Sequence, residues 1–416
     1  MRDRKKLILK NYFGYPGLFE SRRLRKMLSS ITLNIFLFLI LFNQFACKHS
    51  NSSTEEASYS GLLANLFSSF NPKPSLKSIS ESFISYNYSD LESKTISFKT
   101  LASALPDSCN SQTGNLIGLQ TSWKESYSIL KKLEVVQFGA SSTYTGIDSW
   151  PLNYLNNPPD TVKIEASISG TETLNETTLS SKTDNENGFP AIEYLLFDNG
   201  SGSKDAASIC AGLTGRRKTY LQESINLLYT RISRINSNWN PVNSGNFSTI
   251  LQTAGPLNEY YKSDKEVLDT LIKQIVNMVE KIKDVKVGYP SGLATQSGGV
   301  VRTSYIESRY SDRSIENIRY NLEGLFSFYL GAGGPGISDY VRYYNLPLDL
   351  RIREKVAQVQ SKANEISNLK EEINSGSTKV KEFYTLLNEL KILFSVELAA
   401  NLGSTFTPGL GDGDGD

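Results

Sequence analysis

The chain carries a single histidine, His49, and three cysteines, Cys47, Cys109 and Cys210. Most nucleophilic and transition-metal chemistry is built from these two residue types, so their scarcity decides a great deal. His49 stands beside an N-terminal apolar run and outside the expected folded body. A His-based catalytic triad, a two-His zinc motif and a facial triad are therefore excluded from that body. A serine without a histidine or a suitable lysine as base is an unactivated nucleophile. Any metal site has to be assembled from carboxylates, hydroxyls and carbonyls. Such donors favour hard cations, iron or calcium among them, over zinc or copper. A carboxylate-only hydrolase is chemically conceivable, yet no acid pair stands out in the sequence.

Two glycine-rich stretches invite and then resist a ligand reading. Gly331-Ala-Gly-Gly-Pro-Gly336 is not followed by Lys-Ser/Thr, so it is not a phosphate loop. Gly331 is a natural residue just past a helix end. The acidic run Asp412-Gly-Asp-Gly-Asp416 is similar to the opening of a calcium loop but lacks the closing Glu. A solvated Gly/Asp tail over 411–416 is the simpler expectation. Lys+Arg is 44 against Asp+Glu 43, a net charge of +1, which gives no footing for a nucleic-acid partner. Hydrophobic residues at 39% and charged residues at 21% suit a folded globular body.

The N-terminus reads as an address and a tether. Residues 1–26 are basic, Ile31–Phe42 is apolar, and Ala46-Cys47 closes the run. A basic stretch, a short apolar stretch and a small residue before the break describe a secretory signal over 1–46. Cys47 after Ala46 resembles a bacterial lipobox, with Gln44 where Leu is usual, and is expected to be the lipidated residue. The alternative is ordinary cleavage nearby with a free Cys47. Translation starting at Met27 would leave a signal with no Lys or Arg ahead of the apolar run. Residues 47–59 then form a polar spacer. The expected location is the bacterial cell envelope, lipid-anchored and in the outer membrane, facing the periplasm or the surface. The membrane is thus the first expected partner. Export also permits a disulfide, and Cys109 and Cys210 are expected to pair.

Apolar residues spaced alternately by three and four dominate the body. Leu116, Leu119, Trp123, Tyr127 and Leu130 form one stripe, and Leu221 to Ile235 another. Leu268 to Ile282, Ile315 to Tyr329 and Ile352 to Ile373 form three more. Stripes of this kind bury one helix face each, and bundles are the economical way to do so. The expected fold class is all-α, with two helical-bundle domains over 60–235 and 236–410. Val162–Ile168 is the best strand candidate, although a helical turn or a loop fits as well. Residues 287–304 read as a long irregular loop.

Four stretches stand out in order along the chain. They are Gly146-Ile-Asp148-Ser-Trp150-Pro151-Leu152, then Gly188-Phe-Pro190-Ala-Ile-Glu193-Tyr-Leu-Leu-Phe197. Next come Glu307-Ser-Arg309-Tyr-Ser311 with Asn321-Leu-Glu-Gly324 and Tyr329-Leu-Gly331, and last the Asp-Gly-Asp tail. Together they resemble the imelysin family, and the second stretch is similar to the family's hallmark Gly-x-His-x-x-Glu. The resemblance covers most of residues 60–416. It implies two helical bundles, the hallmark at a groove near their junction, and an exported bacterial protein, often a lipoprotein. It carries a peptidase label, while other members are tied to iron uptake or ligand binding.

Pro190 stands where the hallmark has His, and proline offers neither a ligand nor a base. Glu193 keeps the acidic position. It is expected either to face a groove with Asp148 and Glu307 and hold a metal or polar ligand, or to be a buried acid paired with Arg309 or Arg313. Trp150-Pro151 either lines that groove or packs against a helix end. Ser311 and Arg309 either bind an anion or belong to the cap of a helix starting near Ser314, for which Ser311 and Asp312 are good residue types. The favoured reading is a non-catalytic envelope lipoprotein that binds a small ligand, a metal or an envelope protein, linked to iron uptake. The alternatives are a metallopeptidase and a surface interaction protein that uses the scaffold structurally.

Overall fold

A computed structural model describes residues 70–111, 114–141, 146–240 and 246–403. The expected signal, lipidated Cys47, spacer and acidic tail lie outside the described residues. Among those residues there are helices and no strands. The main helices are α1 (Tyr86–Ser103), α2 (Asn115–Leu133), α3 (Thr161–Ser169), α4 (Gly188–Phe197) and α5 (Gly215–Trp239). They continue with α6 (Asp264–Glu280), α7 (Ser314–Leu330), α8 (Ile337–Glu365) and α9 (Thr378–Ile392). The residues of all five stripes are buried. The strand candidate Val162–Ile168 lies within α3, which starts where the Asp160 side chain accepts a hydrogen bond from the Lys163 amide. The expected loop at 287–304 is broken up by short helical turns at Tyr289–Ser291, Thr295–Ser297 and Thr303–Tyr305.

Helix α1 packs on α2 and α5, and α4 packs on α2 and α5. Helix α8 packs on α7 and α9, while α6 packs on α9. The two groups meet where α2 lies against α7, and one continuous hydrophobic core runs through both. Phe70 onward forms a single compact unit. The α2–α7 approach is close because Gly324 has no side chain. A Cβ there would stand 2.1 Å from the Lys132 carbonyl oxygen.

Helix α6 does not stop at Glu280. It widens into a π-helical segment, Lys281–Gly288. In an α-helix, residues five apart point about 140° away from each other. The i→i+5 bonding of a π-helix brings them back toward one face. Lys281 and Lys286 both reach Glu134 as a result.

Candidate functional site

Three of the four recognisable stretches converge. Gly188, at φ +69°, opens α4 hard against the preceding loop, and a Cβ on it would stand 2.2 Å from the Ile147 carbonyl oxygen. The Phe189 amide donates to that same oxygen at 2.8 Å. This contact fixes Asp148 and Trp150 beside α4. One turn along, Glu193 Oε1 accepts the Ser311 amide at 2.8 Å and the Ser311 hydroxyl at 2.7 Å. The third stretch is thereby tied to the second. Pro190 is the third residue of α4. Its missing N–H costs no helical bond there, because the first turn has no acceptors for such groups.

At the centre stands a residue that no motif flagged. The Lys131 ammonium lies 2.5 Å from Asp148 Oδ2, 2.6 Å from Glu307 Oε1 and 3.0 Å from Glu134 Oε2. Lys286 Nζ joins Glu134 and Glu307, each at 2.9 Å. Lys281 Nζ lies 3.7 Å from Glu134 Oε1 and donates to Gln137 at 2.6 Å. The Tyr127 hydroxyl reaches Asp148 Oδ2 at 3.1 Å, and Asn321 donates to Glu134 Oε2 at 3.0 Å. Lys131, Glu134, Asp148, Glu307, Lys281 and Lys286 are all buried. Three carboxylates thus face three ammonium groups, and their formal charges cancel.

The proton affinities follow from that arrangement. Burial disfavours the Lys131 charge, but Asp148, Glu134 and Glu307 overcome it and hold the ammonium well above its usual range. Burial opposes charge on Glu134 as well, yet three lysines keep it far below the usual carboxylate range. Asp148 is pushed up by burial and by its two acidic neighbours, against the pull of Lys131. Lys281 falls to about 8, chiefly through burial, with Glu134 opposing and the other two lysines adding to the fall. Burial also raises Glu193 to about 7, against the Ser311 hydrogen bonds and the nearby charge of Arg309.

Oxygens of Glu134, Asp148 and Glu307 lie within 4.8 Å of one another, a spacing that one hard cation could bridge. The residues do not fit a metal, because Lys131 already places a positive nitrogen against all three carboxylates. Two more lysines surround the same oxygens, and a bound ion would face their repulsion in a site shielded from water.

The six residues singled out from the sequence fall into three settings. Asp148 and Glu307 share the Lys131 cluster. Trp150 is buried beside it, its ring 5.9 Å from Lys286 Nζ. Glu193 is separate and only 3% exposed, so it faces no open groove. Nor is it paired with an arginine. Arg309 is spent on Asn157, the Pro158 carbonyl and Tyr310, while Arg313 donates to Ser128. Ser311 takes the partner role, and this also replaces its expected capping role. The cap position of α7 is Arg313, whose side chain makes no capping bond, while Asp312 pairs with Lys204 at 2.6 Å. Cys109 and Cys210 are joined as a disulfide. Lys131, Glu134, Lys281 and Lys286 were missed. The signal was present: Lys131 and Glu134 continue the first stripe four residues beyond Tyr127 and Leu130, and Lys286 continues the third beyond Ile282.

An all-helical chain with a Gly188–Glu193 helix start locked onto a Trp-Pro loop defines a recognisable class. The Imelysin family model, of peptidase M75, matches residues 85–394, and the chain belongs to the imelysin family. Among solved structures it is similar to an imelysin-like protein from Psychrobacter arcticum 273-4. That match has 17% identity and a TM-score of 0.62, over 80% of this chain and 96% of that one. It is also similar to a candidate iron-regulated protein A precursor from Parabacteroides distasonis ATCC 8503. There the identity is 16% and the TM-score 0.58, over 78% of this chain and 95% of that one. No curated protein matches.

Proposed function

We propose that this chain is a non-catalytic imelysin-family protein of the bacterial envelope, tethered through Cys47, that serves iron acquisition by binding rather than by cleaving. One observation carries the non-catalytic part: Lys131 fills the three-carboxylate position with its own ammonium. A metallopeptidase needs an ion with an open coordination position and a base beside it. Here the hallmark His is Pro190, and the chain's one histidine, His49, stands at the N-terminal tether. Glu193 is enclosed and bonded to Ser311. The iron link is supported by the name given to the Parabacteroides neighbour. The tether is supported by the basic stretch, apolar run and Ala46-Cys47.

A small polar ligand has a place to sit outside the buried cluster. A surface depression of about 570 Å³ is lined by Asn153, Asn156, Asp160, Lys163, Asp184 and Asn185, among others. It lies between the residues that follow the Trp150-Pro151 stretch and those that precede Gly188.

The test is direct. Purified full-length chain is incubated with peptide substrates with and without divalent metal, and no cleavage is expected. Metal-dependent cleavage that vanishes in Glu193→Gln overturns the non-catalytic reading. Cys47→Ala is expected to release the chain from the membrane fraction. Protein abundance is expected to rise under iron limitation, and an unchanged level sinks the iron link.

A further inference from the structure

We propose that the Lys131 ammonium is a built-in replacement for a bound cation, so that removing it together with Lys281 turns the Glu134–Asp148–Glu307 cluster into a divalent-cation site. The inference deepens the reading of a self-neutralised cluster and does not depend on the tether or the iron link.

Three observations carry it. First, one nitrogen contacts all three carboxylates, at 2.5, 2.6 and 3.0 Å. A surface ion pair serves one partner; a nitrogen shared by three acids does the work of a coordinated ion. Second, the acids converge by tertiary structure, not by local sequence. Glu134 follows the end of α2, Asp148 lies in the loop held by Gly188, and Glu307 precedes the Ser311 turn. Buried anions this close need cations shared between them, and Lys131 spans all three while Lys286 spans two. Third, the oxygen donors are not saturated. Glu134 Oε1 is buried without a hydrogen-bond partner. The Lys281 ammonium stands 3.7 Å from that oxygen, and replacing Lys281 leaves it open as a ligand.

The charge balance selects the ion. Six charges cancel in the natural chain. Replacing Lys131 alone leaves one negative charge, which suits an alkylammonium. Replacing Lys131 and Lys281 leaves two, which a divalent ion neutralises. Mn²⁺ is a suitable probe, being an oxygen-seeking ion that reports its own binding spectroscopically.

The experiment uses full-length chain in three forms: natural, Lys131→Ala with Lys281→Met, and that pair with Glu307→Gln. Each is titrated with Mn²⁺ by calorimetry and by paramagnetic resonance. The natural chain is expected to bind no ion at the cluster. The double variant is expected to bind one, and the triple variant to bind at least tenfold more weakly. A folded double variant that takes up no Mn²⁺ overturns the inference while leaving the non-catalytic reading intact. Natural chain that binds one Mn²⁺, lost in Glu307→Gln, overturns both. Where the double variant does not fold, Lys131→Ala is refolded with n-propylammonium, whose atoms match those deleted. Folding yield above a sodium control supports the inference, and no gain from either propylammonium or Mn²⁺ overturns it.

Discussion

Lys131 Nζ and Glu307 Oε1 stand 2.6 Å apart although 176 residues separate them in the chain. This single contact ties the end of α2 to the turn that leads into α7. Glu307 also receives Lys286, so the same carboxylate joins α2 to the π-helical end of α6. The backbone approach at Gly324 supports the junction from the other side, and Asn321 on α7 donates to the Lys131 carbonyl at 2.7 Å. The imelysin hallmark region is therefore braced by an ion network before any question of ligands arises.

Breaking that network from one side is expected to be expensive. Lys131→Met keeps the unbranched stem, one atom shorter, and deletes the charge, leaving buried carboxylates short of a partner. The expected loss is about 3–5 kcal/mol of stability. Glu307→Gln is expected to cost a similar amount, and the pair together less than the sum, with a coupling of about 2 kcal/mol or more. Guanidinium unfolding of the four forms gives the cycle. Additive losses would mean that the two side chains do not share their energy.

Much of the fold was legible, because a helix must hide one face and its apolar spacing shows which. The stripes from Leu116 and from Leu268 lie on α2 and α6 as read. The cluster was less legible for a specific reason: a rule that follows apolar residues stops at Leu130 and Ile282. The same faces continue into Lys131, Glu134 and Lys286, and buried charge is invisible to a hydrophobic pattern until its partners are known. The π-helical segment hid Lys281 further, since a period of 3.6 places it and Lys286 on different faces. Ser311 is expected from the sequence to bind an anion or to cap α7, and its amide and hydroxyl serve the Glu193 carboxylate. Its good capping chemistry at the head of α7 was outbid by Glu193, a buried acid that needs donors more than the helix end does.

Gly188→Ala tests how the first two recognisable stretches are held together. The residue sits at positive φ, and the added methyl would meet the Ile147 carbonyl oxygen at 2.2 Å. Backbone cannot yield as a flexible side chain can, so the expected loss is about 2–4 kcal/mol. The Asp148 loop is expected to become exchange-competent in the same variant. Hydrogen exchange at Ile147–Trp150 unchanged from the natural chain would show that the contact does not position the loop.

The Cys109–Cys210 disulfide closes a loop across a sequence separation of 101 residues. Constraining an unfolded loop of that length contributes about 4.7 kcal/mol in the chain-entropy account. Replacing both cysteines by serine is expected to lower the denaturant midpoint accordingly, and reductant is expected to have the same effect on the natural chain. A midpoint indifferent to both treatments would remove the disulfide from the account of stability.

Glu193 supplies the sharpest prediction, because its titration falls in an accessible range. Burial raises its carboxyl from the ordinary 4.5 to about 7, with Glu307 adding to the rise and Ser311 and Arg309 opposing it. The folded state therefore holds this proton more tightly than the unfolded state does. Stability from the protonated form is fully present below about pH 4.5 and is lost as pH rises through 7. The scale is on the order of 3 kcal/mol. Protonation need not disturb the Ser311 bonds, since both donors go to Oε1 and the proton can reside on Oε2. Lys281 acts in a different window and with the opposite sign. Its folded value of about 8 lies below the ordinary 10.5, so its contribution grows as pH rises between them. Glu193→Gln keeps an acceptor oxygen for Ser311 and cannot ionise. It is expected to flatten the fall in unfolding free energy between pH 5 and pH 8 while changing stability little at pH 5. Urea unfolding of both forms at four pH values across this range measures it. An equal slope in the two forms would mean that Glu193 is ionised throughout, and that Arg309, close enough to pull its proton affinity down, neutralises it through space.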